Sequence, residues 1–356
     1  MKPILYNRNL DEVRSGSLTW SSPSNIALIK YWGKYGNQMP ENPSLSFTLS
    51  NSKTTTSLNW KYDPRRSKRQ VSFLFAGEQN AKFLAKVKMI LDRLEVEVPL
   101  LKNFKLDFSS NNSFPHSAGI ASSASGMSAL VLCILGALKE FASELEDTDL
   151  FFRQASHLAR LASGSAARSV YGGVTTWGKG EHIESSQYYA APLSVNKIFK
   201  SFYDSIVIIS AEEKAVSSSA GHDLMKTHPY RQQRFSTARS RLITLLEILQ
   251  TEELMTFCEL VETEALDLHG LMMTSSPSFI LMKPGTLKVI ELVRSFRKSH
   301  NLPLCFTLDA GPNVHLLYPA HIKERVEKFI DEQIATLAEC QMVINDRVGD
   351  GPEQLN

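Results

Sequence analysis

Cysteine is scarce in this chain, with four residues in 356 (Cys133, Cys258, Cys305 and Cys340), widely separated and forming no CxxC pair. A disulfide framework is therefore not expected to hold the fold, and each cysteine reads as a buried reduced thiol in an apolar context. An excess of one charge is lacking too. With 39 Lys and Arg against 37 Asp and Glu, the formal net charge is +2, so nothing draws the chain globally toward nucleic acid and any anion site has to be built locally. No apolar run approaches the roughly eighteen residues a membrane span needs, and residues 1–15 carry charges where a signal peptide would have its apolar core, so a soluble cytoplasmic protein is expected. No repeat or low-complexity linker interrupts the chain. Its nine histidines and many acids show no metal-ligand spacing such as HExxH, so no metal site of its own is expected.

What is present is a 43% hydrophobic content, enough for two packed domains. Short β-branched or aromatic segments at 17–20, 44–49, 54–60, 71–75 and 104–108 read as strands, with an amphipathic helix at 81–94 carrying Phe83, Val87, Ile90, Leu91 and Leu94. A second helix is expected to start at Thr148 as N-cap. The basic run Arg65, Arg66, Lys68 and Arg69 reads as a solvated hairpin loop. Beyond about residue 190, a buried strand at 205–210 precedes long amphipathic patterns, including Leu287, Ile290 and Val293, and strands at 304–308, 314–318 and 341–344. The fold class is therefore α+β, with a domain boundary near 190.

The stretch densest in potential chemistry is residues 114–126, FPHSAGIASSASG, with two glycines, four serines and no charged side chain. An apolar stripe at helical spacing follows at once (Met127, Leu130, Val131, Ile134, Leu135, Leu138), so a small-residue loop opens a long helix near Ser122. Such a loop lets backbone N–H groups converge on an anion, where the helix N-terminus adds roughly half a positive charge. The ligand this predicts is a phosphate chain. The same composition also makes a tight packing turn, and no Gly-Lys-Ser/Thr follows to form a Walker A loop.

Three further segments set polar groups in apolar or turn contexts. SNIALIKYWGK (24–34) holds Lys30 and Lys34 around Tyr31 and Trp32. A lysine in an apolar run is costly to bury without an anionic partner, although it can also snorkel from a strand end. ASGSAARSVYGG (162–173) brings Ser163, Ser165 and Arg168 within six residues, able to hold a phosphate or a carboxylate; a capping serine with an exposed arginine is the plainer alternative. DAGPN (309–313) puts Asp309 at a strand end before a Gly-Pro turn, where an aspartate is often only a turn former.

Together, in this order along the chain, the four segments resemble the mevalonate diphosphate decarboxylases of the GHMP kinase superfamily. The resemblance implies a two-domain GHMP kinase-like α+β fold, residues 1–189 carrying the phosphate loop and 190–356 forming the second domain, with the active site in the cleft between them. It implies ATP-dependent decarboxylation of (R)-5-diphosphomevalonate to isopentenyl diphosphate, with Mg²⁺ arriving with ATP, no nucleic-acid or membrane partner, and a homodimer. Carried over residue by residue, Asp309 faces the substrate's tertiary hydroxyl and serves as, or orients for, the general base. Lys30 lies in the reaction centre and Arg168 holds the substrate carboxylate. Tyr31, Lys34, Ser163, Ser165 and, in the serine run at 216–219, Ser218 bind substrate. His116, Ser117, Ala118, Gly119, Ser122, Ser123 and Ser125 form the ATP cradle.

The chain departs from the family's usual residues at His116, commonly Thr, at Ala162, commonly Gly, and at Ala167, commonly Cys. None removes a proposed catalytic group, but His116 bears on the choice between 5-phosphate and 5-diphosphate. Two rivals stand beside this reading. One is a phosphomevalonate decarboxylase or mevalonate 3-kinase of the same superfamily, and the other a non-catalytic ligand-binding homologue, which should have lost a charged group.

Overall fold

The computed structural model describes residues 3–115, 120–212 and 217–356. Two strands, β1 (Arg14–Ile29) and β2 (Ser44–Tyr62), pair antiparallel along almost their whole length and organise the rest. The sequence pattern suggests shorter pieces, because Pro23 and the polar residues Asn51, Ser52 and Lys53 look like breaks. Instead, the register shifts between Pro23 and Asn25, where residues 49–52 of β2 have no partner on β1, and again between Ala27 and Ile29, and the ladder resumes after each.

β3 (Gln70–Phe75) lies parallel to β4 (Phe104–Asn112), and β4 pairs with β2. The connection from β2 to β3 is thus a crossover, so the basic run is not a hairpin loop. Arg69 is not a solvated cation either, for its largely buried guanidinium pairs with Asp92 and Glu95 of α1 (Ala81–Glu97). On the same core pack α2 (Ser122–Leu138), apolar on nearly all sides, and α3 (Thr148–Ala162). The N-cap of α3 is Asp147, which accepts from Leu150 N–H at 2.8 Å; Thr148 is the first helical residue. β5 (Val174–Trp177) pairs with the start of β2, and β6 (Ala190–Leu193) with β5.

A second antiparallel sheet has the order β8 (Cys305–Leu308), β9 (Val314–Pro319), β7 (Phe202–Val207), β10 (Val343–Arg347). Around it lie α4 (Ser218–Leu224), α5 (Arg231–Ile248), α6 (Leu254–Met273) and α7 (Pro284–His300). Leu287, assigned by periodicity to the apolar side of α7, is 50% exposed; Thr286, Val289, Ile290 and Val293 are the buried residues. Cys340 is exposed, whereas Cys133, Cys258 and Cys305 are buried as expected.

Residues 20–29 are buried without the alternation of a one-sided strand. The cause is that Ile26 and Leu28 of β1 and Leu45 and Phe47 of β2 share a core with Phe202, Leu242, Leu245 and Phe257 of the second half. The paired strands leave one core and enter the next. Asp346 of β10 anchors β2 at this passage, accepting from the amides of Ser50 and Asn51 at 2.8 Å and Ser52 at 2.7 Å. Asp346→Ala strips these N–H groups of a charged acceptor and is expected to lower unfolding free energy by about 2–4 kcal/mol, measurable by denaturant titration.

Candidate active site

Lys30 follows directly on β1 and is 2% exposed, yet it carries an ammonium group. Its Nζ lies 3.2 Å from Oδ1 of Asp309, the first residue past β8, so the ends of two strands from different sheets meet at one ion pair. The Lys30 peptide is held as firmly as its side chain. Its N–H donates to Glu264 of α6 at 3.0 Å, and its carbonyl accepts from Asn42 at 3.0 Å and from Arg234 of α5 at 3.1 Å. Glu264, fully buried, pairs in turn with Arg234 and with Arg241. Burial pulls the Lys30 pKa below the ordinary lysine value; Asp309 and Glu264 oppose this shift and Arg168 adds to it.

Arg168 lies in a short 3-10 segment, Gly164–Val170, and is likewise 2% exposed. It donates to Ser46 at 3.0 Å, Ser44 at 2.5 Å and Asn25 at 3.2 Å, all neutral groups. Among the described residues no carboxylate lies within ion-pair distance of it. Burial lowers its pKa to about 10, which leaves it charged at neutral pH. Two buried cations therefore face one carboxylate in the same cavity, and a buried charge without a counter-ion is expensive unless a ligand brings one.

That cavity, of about 200 Å³, is lined by Lys30, Arg168 and Asp309 and also by Tyr31, Lys34, Ser163, Ser165 and Ser218. The Tyr31 hydroxyl is buried with no hydrogen-bond partner among the described residues. Its ring approaches the backbone so closely that a Cβ on Gly164 would lie 2.7 Å from it, so only glycine fits there. Lys34 is held below the ordinary lysine value by burial, with Arg93 and Lys226 acting the same way and Asp223 against.

Ser123 stands where this cavity meets a second one of about 80 Å³, walled by Phe73, Phe75, Phe83 and Met127. It lies 3.4 Å from Ser163 Oγ to Oγ, which brings the serine-rich loop and the 162–173 segment together. Ala121, in the left-handed region at φ +40°, turns the chain into α2, and among the described residues no side chain caps that helix start. Ser122 lines the second cavity. Ser125 faces the sheet instead, fully buried and 2.7 Å from Thr54 Oγ1, a packing contact that leaves it no access to the cleft. His116, Ser117, Ala118 and Gly119 lie outside the described residues.

Several site groups escape a reading of the sequence. Lys86 of α1 lines the rim common to both cavities, and desolvation lowers its pKa below the ordinary lysine value. Asn25, His222, Glu264 and Arg234 were also unassigned. Glu264 did leave a trace, since it sits among Val261, Ala265 and Leu268 on the buried side of its helix.

Residues 22–189 match the diphosphomevalonate decarboxylase-like N-terminal domain and residues 205–354 the mevalonate 5-diphosphate decarboxylase C-terminal domain. A diphosphomevalonate decarboxylase from Ganoderma lucidum is 30% identical over 88% of this chain and 81% of that protein. The chain belongs to the diphosphomevalonate decarboxylase family. The family's solved structures agree in fold. Mevalonate diphosphate decarboxylase from Staphylococcus aureus superposes with a TM-score of 0.81 at 29% identity, over 98% of this chain and 99% of that one. The Enterococcus faecalis enzyme gives 0.79 at 28% identity, over 96% of this chain and all of that one. A third, in complex with MVAPP, AMPPCP and magnesium, gives 0.81 at 30% identity, over 96% of this chain and 100% of that one.

A cation buried without an ion-pair partner is costly to the empty fold. Arg168→Met is therefore expected to leave the melting temperature of the ligand-free protein unchanged or raised, as read by calorimetry. A loss above about 2 kcal/mol would instead make the guanidinium a structural tie to Ser44, Ser46 and Asn25.

Proposed function

We propose that the chain catalyses the ATP-dependent decarboxylation of (R)-5-diphosphomevalonate to isopentenyl diphosphate, ADP, phosphate and CO2. The observation that carries this reading is Arg168, a buried guanidinium with only neutral partners, in one cavity with the Lys30–Asp309 pair. A substrate bearing both a carboxylate and phosphoryl groups supplies the missing negative charge. In this assignment Asp309 accepts or orients the proton of the tertiary hydroxyl as its oxygen takes the γ-phosphoryl group of ATP. The C3–O bond then breaks with phosphate as leaving group, and the electrons of the bond to the carboxylate form the alkene as CO2 departs. Arg168 holds the carboxylate until that bond breaks, and Lys30 orients Asp309 through their ion pair. Most of what the chain contributes is charge fixed in advance.

Lys34, Tyr31, Ser163, Ser165 and Ser218 are assigned to the substrate's diphosphate. Ser122, Ser123 and Lys86 are assigned to ATP phosphates, and the smaller, apolar-walled cavity suits a nucleotide base. Among the described residues no three His, Cys, Asp or Glu side chains converge as metal ligands. Mg²⁺ is assigned to the phosphate oxygens of ATP, where the ion would neutralise charge. The reading includes a cytoplasmic homodimer, which the family resemblance alone supports.

Coupled ADP release with mevalonate, its 5-phosphate and its 5-diphosphate offered in turn tests the substrate. Turnover of the diphosphate far above the others is expected; equal kcat/KM for both phosphorylated substrates would favour the monophosphate rival. Asp309→Asn should lower kcat by about a hundredfold to ten-thousandfold with KM nearly constant, and ADP and CO2 formation should fall together. The pH profile follows from Lys30. Burial favours its neutral form, so raising pH removes its proton earlier than from an ordinary lysine, and the alkaline limb of kcat/KM should lie below the usual lysine range. In Lys30→Arg, which stays protonated, the limb should move up in whatever activity remains.

A further inference from the structure

His222 of α4 is 7% exposed, and its ring lies against both Tyr31 and Trp32, with centroids 4.3 and 4.8 Å away. The helix comes this near because residue 221 is glycine, whose Cβ would meet the Trp32 ring at 2.4 Å. The backbone N–H of Gly33 donates to His222 Nδ1 at 3.0 Å. An amide can only donate, so Nδ1 is the acceptor and carries no proton. Burial, reinforced by the charge of Lys34 and opposed by Asp223, holds the ring pKa near 3, so the imidazole is neutral and its single proton sits on Nε2. No protein group among the described residues takes that hydrogen. The ring lines the cavity beside Lys34 and Ser218, and Ser218 lies one helical turn before it on the same face of α4.

We propose that His222 binds substrate as a tautomer-locked Nε2–H donor to a phosphoryl oxygen at the Lys34–Ser218 end of the cavity, and so helps set how many phosphoryl groups the substrate carries. This rests on the assignment of Lys34 and Ser218 to the substrate's phosphates. A neutral donor suits that place. It adds a directional hydrogen bond without a third positive charge beside Lys34 and Lys226, and the Gly33 amide prevents the ring from offering its acceptor face to an anion. Specificity arises because a substrate lacking that phosphoryl oxygen leaves a desolvated N–H unpaired.

Two near-isosteric substitutions separate the halves of the ring. Asparagine can set its carbonyl where Nδ1 accepts from Gly33 but has no atom reaching Nε2, whereas glutamine can carry an N–H to the Nε2 position without the Nδ1 acceptor. His222→Asn should keep a near-parent melting temperature while KM for the 5-diphosphate rises about tenfold or more, with kcat changed less than about twofold. His222→Gln should show the reverse, a lower melting temperature with a smaller rise in KM. A KM in His222→Asn within about twofold of the parent overturns the proposal. Lys34→Ala, run alongside, distinguishes the failures: if it raises KM and His222→Asn does not, only the histidine is misassigned, and if neither does, the phosphate-end reading falls as well. Nitrogen NMR of the labelled full chain gives a readout independent of turnover. Neutral Nε2–H imidazole with no titration between about pH 5 and 8, and a shift of that N–H on adding 5-diphosphomevalonate, are expected; an Nδ1–H tautomer overturns the proposal.

Discussion

Withdrawing an ammonium group from water is the demand that the surrounding structure answers. Lys30 is tolerable at its depth because groups from distant parts of the chain converge on it: Asp309 on its side chain, and Glu264, Arg234 and Asn42 on its peptide. Asn42 comes from the loop before β2, and the others from separate parts of the second half. The strand end of β8 brings Asp309, while α5 and α6 contribute Arg234 and Glu264, which neutralise one another so that neither is buried as a lone charge. The meeting of the two halves is thus electrostatic at the site and apolar beneath it, where the inner parts of β1 and β2 carry both cores.

Arg168 is left outside this neutralisation. Two hydroxyls and an amide oxygen each accept from one of its three nitrogens, but they do not cancel its charge. A ligand-free protein that keeps an uncancelled cation gives up stability for it, and the proposed return is an anion site fixed in advance. The Tyr31 hydroxyl is of the same kind, buried with no hydrogen-bond partner among the described residues.

Much of this was legible in sequence because its signals are local. A lysine in an apolar strand, four serines before an apolar stripe, and an aspartate between a strand and a Gly-Pro turn each contradict their surroundings, and Lys30, Ser123 and Asp309 do come to one cleft. What was not legible depends on pairing across the chain. Nothing near Arg234 announces that it will hold the Lys30 carbonyl, 204 positions away. Arg69 looked solvated because its partners, Asp92 and Glu95, lie on a helix whose packing no local pattern reveals. Ser125 is assigned to the ATP cradle by the resemblance, but helical rotation turns it toward Thr54. The lengths of β1 and β2 were missed for a different reason, since a bulge and a chain break look alike until the partner strand is seen.

The passage of β1 and β2 through both cores also bears on how the molecule comes apart. Neither half can be released without exposing Ile26, Leu28, Leu45 and Phe47, which are backed by Phe202 and Phe257 on one side and joined by continuous ladders to the other core. Partial unfolding at the cleft is thereby penalised by both halves at once, so thermal unfolding is expected as one cooperative transition. Opening of the cleft for ligand exchange has to be found in loops and short helices, outside the paired strands.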